Sequence, residues 1–472
     1  MMNIFSQLWG YCKLYYKLNL LYNEYVHNGS VNTENGNRLI GLIHTDILNN
    51  GSICIKFCQW LLPILDNIYV KDNEKPSWFI SLENLYENCP IYSLDYTKQI
   101  FNTELKSNFD EDYEVIDIIG SGSIGQVYKI KNKHTQDLFA LKIIHPDVKY
   151  QLLKFKSILL FALRFPCIRN KLFNLVPVNY VQFIENFEEQ INMINEANYL
   201  SRMNYNYKDN DYVIIPQLIR CSESCLLMTY EDGDIMDKMD LSQYQRTKII
   251  SLLYGFISGN QLFDDIMHND IHKANWKVRK VTENRYSIIV YDFGFCYQKK
   301  EIDRPIIHMM TNICESSDEN SDNREDVVKM LQYFLRDYTD ESKDILYTLM
   351  PKSFKADPVE IFDITIISCN RLHKECNANA IQILITSIQC YKYFKEAGIN
   401  NGHNLKNDGY RMYRERYLDL INLYTTYGCF DEFVNYMNHK LSTLDIEITN
   451  LFDTIKDNET VTDEITKLLK FD

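Results

Sequence analysis

The sequence predicts an α+β fold of two lobes, with a helical N-terminal extension, a small β-rich lobe and a long helical C-terminal lobe. Three observations carry this expectation. Residues 113–144 read as strand, Gly-rich loop, strand, polar turn and strand. Apolar residues recur at helical spacing before and after that segment. The 472 residues, 46% of them hydrophobic, are ample for more than one core. The expected division is 1–110 for the extension, 111–231 for the β-rich lobe and 232–472 for the helical lobe.

In the extension, Ile4, Phe5, Leu8, Trp9, Cys12, Tyr15 and Tyr16 recur at helical spacing. Ile53–Leu65 is a second apolar stretch after the Asn49-Asn50-Gly51 turn signal, and Pro63 is expected to kink or end it. Tyr113–Ile119 is rich in β-branched residues and runs into Gly120-Ser121-Gly122-Ser123-Ile124-Gly125. Gln126–Lys131 and Leu138–Ile144 are the next strands, around the polar turn Asn132–Asp137. Residues 150–206 return to helix, with Glu196 on the helical segment Gln190–Asn198. Short strands are expected at Tyr212–Ile215, Leu218–Cys221 and Cys225–Tyr230. After Asp240 the chain reads as mainly helical, with one hairpin at Trp276–Phe293 and at least four amphipathic helices in the tail. Ser316–Glu325 is acidic and Ser/Asn-rich and reads as a mobile loop.

Composition excludes several classes. A formal net charge of −14 argues against a nucleic-acid partner and against non-specific binding to anionic membrane. The 13 cysteines include no C-x-x-C pair, so they read as mostly buried free thiols in a reducing compartment, not as a zinc framework. The N-terminal stretch carries Lys13, Lys17 and Glu24, no Arg before Arg38, and no small-residue cleavage site. It therefore reads as neither a secretory nor a transit peptide. No run approaches the ~18 apolar residues of a spanning helix. Ile158–Phe165, interrupted by Arg164, fits a core helix better. The expectation is a cytoplasmic chain, with peripheral membrane contact left open.

G-x-G-x-x-G alone is a weak signal, because glycines also occupy ordinary turns. A dinucleotide fingerprint needs a helix after the loop, to meet the pyrophosphate. Here Gln126-Val127-Tyr128-Lys129-Ile130 reads as a strand. That fits the G-x-G-x-x-G-x-V hairpin that covers the ATP phosphates in kinases. Glycines let N–H groups approach phosphate oxygens without a Cβ in the way. Gly120, Ser121, Gly122, Ser123, Gly125 and Val127 are thus the candidate nucleotide-binding loop. The third strand ends Phe139-Ala140-Leu141-Lys142, close to V-A-I-K and 22 residues after Gly120. An ammonium group placed there reaches the α/β-phosphates, where an isolated strand-end lysine would read as surface. Such a lysine needs a carboxylate to hold it, and Glu196 is the candidate, against the plainer reading of a solvated helix-face residue.

The strongest signal is His268-Asn269-Asp270-Ile271-His272-Lys273-Ala274-Asn275, followed by Asp292-Phe293-Gly294 after an apolar strand. Asp270 and Asn275 have the H-x-D-x-x-x-x-N spacing of a kinase catalytic loop, and Asp292 opens a D-F-G 17 residues later. A carboxylate at Asp270 orients the acceptor hydroxyl or takes its proton. The amide oxygen of Asn275 and the carboxylate of Asp292 suit Mg²⁺ held against the phosphates of ATP. His268 reads as loop support through hydrogen bonding. Asn269 stands where protein kinases carry the arginine that reads a phosphorylated activation loop, so no switch of that kind is expected.

Together these residues resemble the UbiB/ADCK family of atypical kinases, which is linked to coenzyme Q and lipid metabolism. Ile55-Lys56-Phe57-Cys58-Gln59 looks like the family's K-x-G-Q motif. Ser123-Ile124-Gly125-Gln126-Val127 resembles its S-I-A-Q-V loop core, and Ala140-Leu141-Lys142 with His145-Pro146-Asp147-Val148 resembles its V-K-V-x-x-P-G-V. Glu196-Ala197 matches the E-A pair of its helix, and His268–Asn275 matches H-A-D-P-H-P-G-N. The likeness spans residues 50–300. It implies a protein-kinase-like fold with the helical extension packed over the active site. It also implies a Lys142–Glu196 pair, with Lys56 and Gln59 near the nucleotide, restricting access of protein substrates.

The departures bear on activity. The family's loop is Ala-rich where this one has Gly120 and Gly122, which implies a more flexible loop. Cys58 replaces the motif's glycine. The family's E-x-D falls on Gln190 and Asn192, whose amides bind Mg²⁺ more weakly than carboxylates do, unless the register shifts to Glu188 or Glu189. Asn192 and Glu196, four apart, are expected on one helix face. Three readings therefore stand. One is a kinase or ATPase acting on ATP and Mg²⁺ with an unknown small-molecule, lipid or protein acceptor. The second is an ATP-binding pseudokinase scaffold. The third is a small-molecule kinase of the aminoglycoside or choline type, in which Ile55–Gln59 would be irrelevant.

Overall fold

A computed structural model describes residues 4–28, 33–65, 67–68, 89, 91–208, 210, 212–262, 264–282, 285–300, 324–350 and 358–396. Most of the expected Ser316–Glu325 loop, and the part of the helical tail after residue 396, lie outside the described residues. In chain order the first elements are helices α1 (Ile4–Asn28), α2 (Glu34–Asn49), α3 (Ser52–Leu65), α4 (Leu94–Leu105) and α5 (Phe109–Asp112). Strands β1 (Tyr113–Ser121), β2 (Gly125–Asn132) and β3 (Leu138–Ile144) follow, then helices α6 (Val148–Ala162), α7 (Pro166–Leu175), α8 (Tyr180–Gln190) and α9 (Met193–Tyr207). Next come β4 (Val213–Ile214), β5 (Leu218–Cys221), β6 (Cys225–Thr229), α10 (Gln243–Leu262), β7 (Ile266–His268), β8 (Trp276–Lys280), β9 (Tyr286–Val290) and β10 (Cys296–Gln298). The last described helices are α11 (Arg324–Leu335), α12 (Asp340–Leu349), α13 (Pro358–Leu372) and α14 (Ala378–Glu396).

The chain divides into two compact units, neither of them one continuous stretch. The first takes its described residues from Met1–Asn198, Gln217–Tyr230 and Cys369–Ile385. The second takes them from Tyr199–Pro216, Glu231–Ser368 and Thr386–Asp472.

The first unit is built on a five-stranded antiparallel sheet of order β1-β2-β3-β6-β5. Alternation puts Tyr128, Ile130, Leu141, Ile143 and Leu227 into one core, closed by Phe101 and Leu105 of α4 and by Phe109 of α5. Upstream, Thr33 caps α2 by accepting a hydrogen bond from the Gly36 N–H at 2.9 Å. The α2 residues Leu39, Ile40, Ile43 and Ile47 form its buried stripe, and Ile43 and Ile47 pack with Cys54, Ile55 and Cys89. Pro63 sits in the last turn of α3, and the helix continues two residues past it.

Two expectations need correction here. Ile158–Phe165 is not a core segment: α6 ends at Ala162, and Leu160, Phe161 and Phe165 are exposed. Gln190–Asn198 is not one helix either, because α8 stops at Gln190 and α9 starts at Met193. The Asn192 side chain takes the Ile194 N–H at 3.1 Å, an Asn-capped start that ends one helix and opens the next.

The second unit holds a three-stranded sheet β4-β9-β8 and a small β7·β10 ribbon. Val213 and Ile214 pair in parallel with Ile288 and Ile289, and β8 pairs antiparallel with β9 from Trp276↔Val290 to Lys280↔Tyr286. Residues 286–290 of β9 are all buried, in keeping with the apolar run Ile288-Ile289-Val290 that ends the strand. The expected hairpin is present. The β7·β10 ribbon, three residues per strand, had no periodicity to announce it.

Candidate functional site

In the first unit, β1 and β2 form the hairpin that carries the Gly-rich loop. The strands run closer to its tip than expected, with Gly120 opposite Val127 and Ser121 opposite Gln126. The tip closes by a hydrogen bond from the Gly122 N–H to the Gly125 carbonyl at 2.9 Å. The three glycines are not equivalent. A Cβ on Gly125 would lie 2.6 Å from the Ile143 carbonyl oxygen, so β2 can cross β3 there only without a side chain. Among the described residues, a Cβ on Gly120 would meet nothing within 4 Å, and one on Gly122 only the Gly125 carbonyl at 3.8 Å. The fold itself demands Gly125; it leaves Gly120 and Gly122 for another reason to account for.

Lys142 lies on β3 between Val127 of β2 and Leu226 of β6. Its Nζ is 2.8 Å from Oε1 and 3.0 Å from Oε2 of Glu196, in the first turn of α9. Both side chains are buried, at 11% and 2% exposure. A carboxylate in the first turn is also favoured by the helix dipole.

Gln59 and Lys56 sit one turn apart on α3. The Ser123 hydroxyl at the loop tip donates to Gln59 Oε1 at 2.8 Å, in a buried contact 64 residues apart in sequence. Lys56 is half-buried. Burial pushes the Cys89 thiol up to about 11, and the nearby Lys56 ammonium opposes that rise. Gln190 is buried at the end of α8, while the Asn192 oxygen is spent on the start of α9. Asn192 therefore does not share a helix face with Glu196, as its four-residue spacing had led one to expect. Glu188, the alternative carboxylate, pairs with Lys156 at 2.7 Å.

In the second unit, β7 and β10 hold the start of the catalytic-loop motif. His268 is opposite Cys296, and the Asn269 N–H donates to Phe295 O at 3.0 Å. The buried His268 ring links the two motifs. Its Nε2 donates to Tyr291 O at 3.3 Å, and its Nδ1 accepts the Asp270 N–H at 3.2 Å. Burial depresses the imidazole's affinity for a proton, although Asp270 and Asp292 pull the other way. The neutral ring with its proton on Nε2 satisfies both contacts.

Asp270 is partly buried, with Oδ2 3.6 Å from His272 Nε2. The Asn275 side-chain nitrogen donates to the Asp270 carbonyl at 2.8 Å, which leaves its Oδ1 as the group able to meet a cation. The Tyr291 N–H donates to Asn275 O at 3.1 Å, so Asp292 comes one residue after the residue bonded to Asn275. Asp292 has φ 61° and ψ 72°, a left-handed conformation unfavourable for a non-glycine residue, and its carboxylate accepts the Gly294 N–H at 3.4 Å.

Several supports had no sequence signal. Thr386 and Tyr393 on α14 donate their hydroxyls to Asn269 O and Ile271 O, each at 3.0 Å. These hydroxyls fix alternate carbonyls of the His268–Asn275 loop. Beneath it, Asn260 accepts the His268 N–H at 3.2 Å and donates to the buried Asp264 at 3.0 Å. Only the seven-residue spacing of Thr386 and Tyr393 on one helix face could have hinted at a shared role.

A family model described as the ABC1 atypical kinase-like domain matches residues 84–324, just over half of the chain. The chain belongs to this ABC1 atypical kinase-like family. The match runs from the segment before α4 through the His268–Asn275 loop and the Asp292-Phe293-Gly294 segment, and the fold is α+β and kinase-like. A probable serine/threonine-protein kinase, abkC, of Dictyostelium discoideum is 24% identical over 258 residues. That match takes in 51% of this ABC1-family chain and 35% of the relative, so the chain spans about a third of the length of the curated relative it matches. The solved Rv3197–erythromycin complex from Mycobacterium tuberculosis is 16% identical, covers 65% of this chain and 83% of its own, and gives a TM-score of 0.38. Among the described residues, no helix is long and apolar enough to cross a membrane.

Proposed function

We propose that this ABC1-family chain is an ATP-binding atypical kinase or ATPase that transfers or hydrolyses the γ-phosphate with Mg²⁺. The buried Lys142–Glu196 pair, at 2.8 and 3.0 Å, carries the proposal. A lysine and a carboxylate buried together are costly to desolvate unless something uses their fixed charge. Lys142 meets the α/β-phosphates, while Gly120 and Gly122 let the hairpin backbone come close to phosphate oxygens. Asn275 and Asp292 fit Mg²⁺: both offer hard oxygen donors, and the Asn275 nitrogen is already committed to Asp270. Bound Mg²⁺ neutralises charge on the phosphates. Asp270 orients the acceptor hydroxyl or water and takes its proton. The acceptor is a small molecule, a lipid or a protein segment.

A non-catalytic scaffold that binds ATP is the second reading. It is favoured by Asn192, whose oxygen is used to start α9 where the family's motif has a carboxylate. The Gln59–Ser123 contact weighs against the aminoglycoside or choline type, in which α3 has no part. Thermal shift with saturating Mg²⁺–ATP tests the binding step, since a ligand that binds only the folded state raises its melting temperature. The wild type is expected to shift and Asp292→Ala to shift less; no shift in the wild type rejects the proposal. Turnover that is lost in Asp270→Asn separates the enzyme from the scaffold.

A further inference from the structure

We propose that His145 is a positioning residue for nucleotide binding, which fixes the loop at Gly122–Gly125 with its carbonyls drawn inward. This rests on the ATP-binding reading, but the state of the loop can be measured without nucleotide. His145 directly follows β3, three residues after Lys142. Its Nε2 lies 2.9 Å from Gly122 O, and its backbone N–H donates to Ile124 O at 2.8 Å. The Gly125 carbonyl accepts the Gly122 N–H at 2.9 Å. Three loop carbonyls are therefore engaged within the unit. The backbone N–H groups of Ser123 and Ile124, by contrast, donate to no described residue.

This sorting of dipoles matters for an anion. Phosphate binds N–H groups and is repelled by carbonyl oxygens. Gly122 has no Cβ to bias its peptide planes, so without a donor on its carbonyl the turn could present either group. His145 supplies that donor from a rigid place. The ring is buried and lies 4.8 Å from the Tyr92 ring. Tyr92 is itself held by Gln126, which accepts its N–H at 2.8 Å and donates to its carbonyl at 3.2 Å. Since a carbonyl only accepts, the proton must sit on Nε2; Nδ1 is then a bare acceptor and has no hydrogen-bond partner among the described residues. A buried nitrogen left unpaired costs stability. The site retains it, and the ring's working end is the Gly122 contact.

The test compares the wild type with His145→Phe, which keeps a ring against Tyr92 but loses the donor, and with His145→Gln, which keeps a donor. Hydrogen–deuterium exchange of amides 121–125 is measured on the protein without nucleotide, and Mg²⁺–ATP affinity by calorimetry. Loss of one net hydrogen bond predicts about fivefold faster exchange and about fivefold weaker ATP binding in His145→Phe. His145→Gln should return both to within about twofold of wild type. Unchanged exchange in a folded His145→Phe, or a His145→Gln as perturbed as the Phe variant, overturns the proposal. If His145→Phe does not fold, His145→Gln decides alone: wild-type exchange supports the role, and fivefold faster exchange overturns it. A wild type that binds no Mg²⁺–ATP overturns the nucleotide reading and the positioning role with it, whereas the exchange data still report separately on the loop.

Discussion

The hydroxyl of Ser123 donates to Gln59 Oε1 at 2.8 Å, which ties helix α3 to the tip of the β1–β2 hairpin. Both residues are buried, so removing either leaves a polar partner without water to replace it. Ser123→Ala and Gln59→Leu should each destabilise the chain by about 1 to 2 kcal/mol in urea unfolding. The double variant should lose less than the sum of the two. Strict additivity would mean that the two side chains do not depend on each other.

Lys142 and Glu196 make a stronger case of the same kind. Breaking a buried pair from one side leaves an uncompensated charge, which costs about 3 to 5 kcal/mol. Glu196→Leu is therefore expected to be more damaging than the double variant Lys142→Met/Glu196→Leu, which removes both members of the pair. Denaturant midpoints of the three proteins decide it. A double variant at least as unstable as Glu196→Leu would show that the pair is net stabilising.

The glycines of the loop give a prediction with opposite outcomes at neighbouring positions. Gly125→Ala drives a Cβ to 2.6 Å from the Ile143 carbonyl and should cost about 1 to 3 kcal/mol. Gly120→Ala meets no described residue within 4 Å and should change stability by less than about 0.5 kcal/mol, while weakening Mg²⁺–ATP binding. Equal effects on melting temperature would remove the distinction between a packing glycine and one that admits a ligand.

Legibility followed the reach of the interactions. The strands around the Gly loop, Lys142 on β3 and the β8–β9 hairpin could be read because alternation, turns and motif spacing are local. The Gln59–Ser123 contact was suggested only by resemblance, since nothing local joins residues 64 apart. Thr386 and Tyr393 were invisible because a hydroxyl that bonds a carbonyl over 100 residues away leaves no periodic trace. The break between α8 and α9 was missed for a different reason. Gln190–Asn198 has good helical composition, and a single capping side chain at Asn192 overrode it.

His268 and His145 make stability depend on pH. Burial is the leading cause in each and holds both imidazoles below their ordinary value of 6.5. The unfolded chain therefore takes up protons first as pH falls. The stability tied to the neutral rings is complete above 6.5 and is lost as pH drops from 6.5 through the lower folded values. Each ring can contribute a slope of at most about 1.4 kcal/mol per pH unit in that window. Urea midpoints should fall between pH 6.5 and 5.5 in the wild type and fall less steeply in His268→Gln. Parallel slopes for the two proteins would show that His268 does not titrate between the folded and unfolded states.

Asp292 sets stability against function at one residue. Its φ of 61° and ψ of 72° lie in the left-handed region, where a non-glycine residue stores about 1 kcal/mol or more of strain. Glycine adopts that backbone without a Cβ penalty, although it also makes the unfolded chain more flexible. Asp292→Gly should therefore melt no lower than the wild type, even though it gives up the 3.4 Å contact with the Gly294 N–H. The same variant removes the carboxylate assigned to Mg²⁺, so the stabilisation by Mg²⁺–ATP should disappear. Asp292→Ala, which loses the carboxylate but keeps the strain, should lose the nucleotide response and also melt below Asp292→Gly. If Asp292→Gly proves the less stable of the two, the backbone is not strained at this position. If it keeps the full Mg²⁺–ATP shift, Asp292 is not a metal ligand, and the D-F-G motif serves the fold alone.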